Sequence, residues 1–118
     1  MKGSCHCGAV QIEVSEMPAE ATQCNCSICR RYAAIWGFFT DKTATVSSPN
    51  VTQSYCWGDD RFIDFHHCST CGCVPHYTST PKGDSDRLAV NLNMFDAADV
   101  ASVRVRNFDG NDTWDYLD

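Results

Sequence analysis

Eight of the nine cysteines in a chain of 118 residues fall into three tight groups: Cys5 and Cys7, then Cys24, Cys26 and Cys29, then Cys68 and Cys71 with Cys73 just beyond. Gaps of one and two residues let neighbouring thiolates converge on one tetrahedral ion, because zinc takes sulfur at about 2.3 Å and a closed site needs four ligands. Disulfides are the competing use of such thiols. The odd count leaves one cysteine unpaired, and the opening Met1-Lys2-Gly3-Ser4 has no apolar leader of the kind that directs secretion. The expectation is a cytoplasmic chain, and in that reducing compartment clustered cysteines are metal ligands or redox groups rather than staples.

A length of 118 residues allows one core, so a single zinc-binding domain over 1–118 is expected, with metal as reinforcement. The formal charge of -6 becomes more negative once thiolates hold a cation. A nucleic-acid partner, which depends on surplus Lys and Arg, is therefore not expected. No apolar run is long enough to cross a bilayer, so no membrane partner is expected, and nothing specifies an oligomeric state.

Alternating β-branched and aromatic residues predict strands at 9–14, 34–40, 51–57, 61–66, 87–93 and 103–108. Val10, Ile12 and Val14 share one face, and Val103 and Val105 share another, as half-buried antiparallel strands require. Helix is expected only as single turns at 27–31 and 96–100. Ser47-Ser48-Pro49-Asn50, Gly58-Asp59-Asp60 and Pro81-Lys82-Gly83-Asp84 are loop signals. The fold class is mainly β.

Cys68-Ser69-Thr70-Cys71-Gly72 has the form of a zinc knuckle, in which N–H groups after the first cysteine point at its sulfur and glycine relieves a positive φ. It supplies two ligands. Cys5-His6-Cys7-Gly8 offers two more on one side of an extended segment, so Cys5, Cys7, Cys68 and Cys71 are expected to close a structural site. Cys24, Cys26 and Cys29 supply only three sulfurs, and three protein ligands leave a position for water or substrate. Were Cys56 or Cys73 brought to that group, the vacancy would close.

The order Gly3-Ser4-Cys5-His6-Cys7-Gly8, then Cys24-x-Cys26-x-x-Cys29 followed by Arg30-Arg31, then Cys68-x-x-Cys71-Gly72, with Phe108-Asp109-Gly110 and Trp114 near the end, resembles the glutathione-dependent formaldehyde-activating enzyme family, which includes centromere protein V. The resemblance implies a zinc β-tent fold of antiparallel sheets. It implies two Zn2+ per chain, a structural one at Cys5, Cys7, Cys68 and Cys71 and an active-site one at Cys24, Cys26 and Cys29. The implied activity is addition of glutathione to formaldehyde, giving S-(hydroxymethyl)glutathione, a carbon-sulfur lyase reaction in reverse. A non-catalytic zinc module that binds a small thiol or a protein partner is the alternative.

Three thiolates weaken the pull of zinc on water relative to three imidazoles, so a soft thiol suits the open position better than hydroxide. Nucleobase deaminases also use cysteine-rich zinc, but their H-x-E and P-C-x-x-C halves are both missing. Arg30 and Arg31 follow the open group and are candidates for the carboxylates of glutathione. Tyr32, Trp36, Phe38 and Phe39 can wall a pocket, but an aromatic strand of this kind is expected in the core, as is Trp57. His6, His66, His67 and His76 are expected to pack or face solvent rather than ligate. Asp59, Asp60, Asp109 and Asp112 read as turn formers.

Overall fold

The computed structural model describes residues 1–48 and 51–118. Among these, three strands form a small sheet in the order β1 (Lys2–Ser4), β2 (Gln11–Val14), β5 (Ala44–Ser47). Seven form a larger one in the order β10 (Arg104–Phe108), β3 (Glu20–Cys24), β4 (Trp36–Phe39), β9 (Leu88–Asn91), β8 (His76–Ser79), β7 (Ile63–Cys68), β6 (Thr52–Cys56). Helix is confined to α1 (Ser27–Tyr32), α2 (Ala97–Val100) and a 3-10 turn at Leu92–Met94. The protein is mainly β, with helices where single turns were expected. No helix among the described residues is long and apolar enough to cross a membrane. Pro49 and Asn50, part of one predicted loop, lie outside the described residues.

Period-two alternation gives the large sheet two different faces. On one, Ala21, Phe39 and Val90 pack with Ile12, Val14 and Ala44 of the small sheet, and with Leu92 and Phe95 from the segment after β9. Fully burying a side chain such as Ile12 or Leu92 stabilises by roughly 1.5–3 kcal/mol. On the other face Trp36, Phe65, Tyr77 and Ala89 form a second cluster around Cys29 and Ala34. The rings meet edge to face, Trp36 and Tyr77 at 4.8 Å and Phe65 and Tyr77 at 5.4 Å between centroids. This aromatic face carries the site.

Strands β1, β3, β5 and β8 lie outside the predicted segments, β5 although Ala44-Thr45-Val46-Ser47 alternates. In β3 the adjacent Ala21 and Thr22 are both buried, as are His76 and Tyr77 in β8, because a strand covered on both faces has no polar side to display. The strand expected at 103–108 forms, but it pairs parallel to β3, with Val105 opposite Ala21, and Val105 stays exposed. The antiparallel reading of Val103 and Val105 is therefore corrected. The chain arrives from α2 at the far end of the sheet, where the Arg104 N–H donates to the Ala19 carbonyl at 2.9 Å. The strand then lies at an edge, so its outward Arg104 and Arg106 pair with Glu20 and Asp118 instead of entering a core.

Candidate metal centres and the cavity beside one of them

The turn after β1 meets the turn after β7. Cys7 Sγ lies 3.6 Å from Cys5 Sγ and 3.6 Å from Cys68 Sγ, and the sulfurs of Cys5, Cys7, Cys68 and Cys71 all fall within 4.8 Å of one another. Gly8 (φ 84°) and Gly72 (φ 80°) close the two turns in the left-handed region that a Cβ would strain. Backbone donors face the sulfurs. The Val10 N–H reaches Cys5 Sγ at 3.3 Å, the N–H groups of Cys71 and Thr70 lower the pKa of Cys68, and those of Cys73 and Cys7 hold Cys71 down to about 5. Cys5 and Cys68 are buried with Val10, and Cys73 packs beside them without joining the four.

The second group is built within one short stretch. Cys24 ends β3, Cys26 is the N-cap of α1 and Cys29 lies one turn further on, buried. Cys26 takes the place of the usual Ser or Asp cap, its sulfur accepting the Cys29 N–H at 3.4 Å. Cys24 Sγ accepts the Cys26 N–H at 3.4 Å, and Cys29 Sγ accepts the indole N–H of Trp36 at 3.4 Å. Burial pushes the Cys29 thiol up despite the Trp36 donor. Burial also opposes ionisation of Cys26, yet the Cys29 N–H and the flanking thiols leave its pKa below the ordinary value. No fourth His, Cys, Asp or Glu among the described residues completes this group. Cys56 instead ends β6 opposite Asp64.

The C-terminal segment is clasped onto this stretch by Asn25. Its Nδ2 donates to Asp109 Oδ1 at 3.0 Å, its Oδ1 accepts the Asn111 N–H at 3.0 Å, and its own N–H donates to the Phe108 carbonyl at 3.1 Å. Asp109 also accepts from Thr113 through N–H at 3.2 Å and Oγ1 at 2.9 Å. These donors, Asn25 foremost, hold its carboxyl below the usual range. The clasp seats Gly110 so close that a Cβ there would lie 2.6 Å from Cys24 Sγ.

A cavity of about 810 Å³ opens over the three sulfurs. Trp36, Phe65 and Tyr77 of the sheet border it, with Trp57 and Phe62 from the β6–β7 connection and Phe108 and Trp114 from the C-terminal segment. Its charged neighbours are Asp60, Arg61 and Arg87, the last with its guanidinium 4.2 Å over the Phe38 ring. Either cysteine group could hold a metal ion, and only the three-cysteine group borders this space.

Residues 1–109 match the sequence profile of the glutathione-dependent formaldehyde-activating enzyme family. The chain belongs to this family. A Halomonas elongata protein that carries the provisional name glutathione-dependent formaldehyde-activating enzyme is 49% identical over 80 residues, covering 60% of this chain and 51% of that protein. The chain thus spans about half the length of this curated relative. The crystal structure of a Rhodobacter sphaeroides protein matches with a TM-score of 0.70 at 32% identity, covering 89% of this chain and 99% of the other.

For this member of the formaldehyde-activating family, other candidate residues fall in different places. Arg31 Nη1 donates to the Ser27 carbonyl at 2.8 Å, and exposed Arg30 borders a smaller space of about 390 Å³ that Cys24 and Cys29 also border. Trp36 and Phe38 line the large cavity, while Phe39 joins the core on the opposite face and Tyr32 packs on Phe65. Trp57, expected in the core, is instead 44% exposed at the cavity. His66 stacks on buried His76 with ring centroids 4.4 Å apart, and neither these nor His6 and His67 belong to a cysteine group. Sequence reasoning missed Asn25, Arg61, Phe62 and Arg87. Asn25 had one signal, an amide held between two ligand positions; the other three had none.

Proposed function

We propose that the chain is a zinc-dependent carbon-sulfur lyase of the S-(hydroxymethyl)glutathione synthase type. It adds a small thiol, glutathione first among the candidates, to an aldehyde carbon and releases it in the reverse direction. Cys5, Cys7, Cys68 and Cys71 hold the structural zinc, and Cys24, Cys26 and Cys29 hold the second. The observation that carries this reading is a three-sulfur group, each sulfur facing an N–H donor, that borders a large cavity and has no fourth side-chain ligand.

The donor sets favour zinc. Sulfur separations of 3.6 Å are close to the about 3.8 Å that a tetrahedral ion with 2.3 Å bonds requires, and thiolates exclude the hard cations that want oxygen. At the second group a zinc ion would supply a fourth position for a soft ligand and lower the pKa of a thiol that takes it.

The residues around it do the rest. Arg61 and Arg87 border the cavity and are better placed for the carboxylates of the thiol than Arg30 or Arg31. Buried Trp36, Phe65 and Tyr77 give the cavity an apolar floor that limits water beside a reversible adduct. In the forward direction the thiol gives up its proton, its sulfur bonds to the carbonyl carbon, the C=O electron pair moves to oxygen, and that oxygen takes a proton; no oxidant or reductant is needed. The cytoplasm, where free thiols stay reduced, is the proposed setting.

The test is the rate of adduct formation from glutathione and formaldehyde, followed by NMR exchange with zinc-loaded and zinc-stripped protein. A rate above the spontaneous one that depends on the metal is expected. A rate equal to the spontaneous one in both samples would leave a thiol-binding module without catalysis.

A further inference from the structure

We infer that the carbonyl component of the adduct carries an aromatic or branched apolar group, selected by Trp57, Phe62 and Trp114. This rests on the reading of the three-cysteine group as a thiol site and adds the class of its second substrate.

Large exposed hydrophobic side chains scattered singly are ordinary, but a contiguous patch marks a binding surface. Here Trp57 at 44%, Phe62 at 45% and Trp114 at 71% exposure all border the one cavity. None of the three belongs to a core cluster; Phe62 carries Lys82 over its ring at 5.8 Å, and burial in a core accounts for none of them.

Two of the four non-glycine residues with positive φ among the described residues lie in the same two segments. Trp114 has φ 58°, and Arg61, directly before Phe62, has φ 52°. A bulky side chain in the left-handed region costs about 1–3 kcal/mol and persists only where its surroundings over-determine it. Both positions are pinned. The Trp114 N–H donates to the Asp109 carbonyl at 2.8 Å, and the Arg61 carbonyl accepts Thr80 Oγ1 at 2.6 Å. Trp114 is also set edge-on against Phe108, with centroids 5.2 Å apart. These contacts fix Trp114 and the residue before Phe62 at the cavity wall.

The reactants of the simplest reaction do not use those rings. Formaldehyde has no apolar substituent, and a carboxylate-bearing thiol is answered by Arg61 and Arg87. A space of about 810 Å³ is the size that encloses a drug-sized ligand and has room for the thiol together with a substituent on its carbonyl partner. The aromatic wall is left for the group on the carbonyl carbon. The chemistry is unchanged: sulfur bonds to that carbon, and the oxygen takes the proton the thiol released.

Two stable thioethers test this on the zinc-loaded protein by calorimetry. S-methylglutathione is the deoxy analogue of the formaldehyde adduct, and S-benzylglutathione that of the benzaldehyde adduct. The benzyl compound is expected to bind at least about tenfold tighter, and Trp57→Ala and Phe62→Ala, at exposed positions, are expected to bring the ratio towards one. Equal affinities, or tighter methyl binding, would overturn the inference and leave the thiol-addition reading intact. A preference that survives both substitutions would overturn the role given to these rings. Binding of neither compound would also overturn it, and a glutathione titration of cobalt-loaded protein would then tell whether the thiol reading falls as well.

Discussion

The two cysteine groups use the same donor atom and the same backbone device, N–H groups aimed at sulfur, yet they are assembled in opposite ways. Cys7 and Cys68 are 61 residues apart, and their meeting ties the end of β1 to the end of β7. Cys24, Cys26 and Cys29 come from one β3–α1 corner, so no second segment of chain is needed to supply a sulfur. The first group closes a long loop, so an ion bound there adds to folding stability. The second closes almost none, so an ion bound there would be free to serve a ligand, and its long-range contacts, Asn25 to Asp109 and Trp36 to Cys29, hold geometry instead.

The largest expected effect separates the groups directly. Cys68→Ser removes a buried member of the closed group and forfeits much of a metal-binding free energy of about 10 kcal/mol or more, so cooperative melting followed by circular dichroism should be lost. Cys26→Ser keeps an N-cap acceptor for the Cys29 N–H and should leave a folded protein that has lost one ion. Indistinguishable melts for the two variants would break the comparison.

A smaller effect sharpens it. Trp36→Phe keeps the bulk of the ring but removes the donor 3.4 Å from Cys29 Sγ. Chelator competition should find the affinity of the second ion about 10–100-fold weaker and that of the first unchanged. If Trp36 were only a core residue, melting would fall while both affinities stayed as they were.

The smallest effect is a pH dependence on the face opposite the cavity. Burial, with His66 stacked beside it, lowers the pKa of His76 from 6.5 to about 4. The unfolded chain therefore takes up a proton that the folded one refuses. The contribution is complete above about pH 6.5 and drains away as pH falls towards 4, at no more than about 1.4 kcal/mol per pH unit. Denaturant midpoints between pH 7 and 5 should fall for the native chain and be flatter for His76→Phe.

Much of this was legible wherever the information is local. One- and two-residue cysteine gaps, glycine after Cys7 and Cys71, and the alternation of Val10, Ile12 and Val14 all act over a few residues, and both cysteine groups and β2 follow from them. Strands β3 and β8 were hidden because burial on both faces erases alternation. The cavity was hidden for a different reason: its walls come from the β6–β7 connection, the start of β9 and the C-terminal segment, and only sheet order and the parallel β3–β10 pair bring these together. Asp109 was read as a turn former and does bind Thr113, but its bond to Asn25 spans 84 residues.

The central claim is that one group is closed by four sulfurs and the other keeps a position that an outside sulfur can take. Cobalt-substituted protein titrated with glutathione tests it most directly, through the sulfur-to-metal charge-transfer absorption. The account predicts an increase that saturates at one thiol per chain and disappears in Cys26→Ser. A spectrum unchanged at saturating glutathione would contradict it.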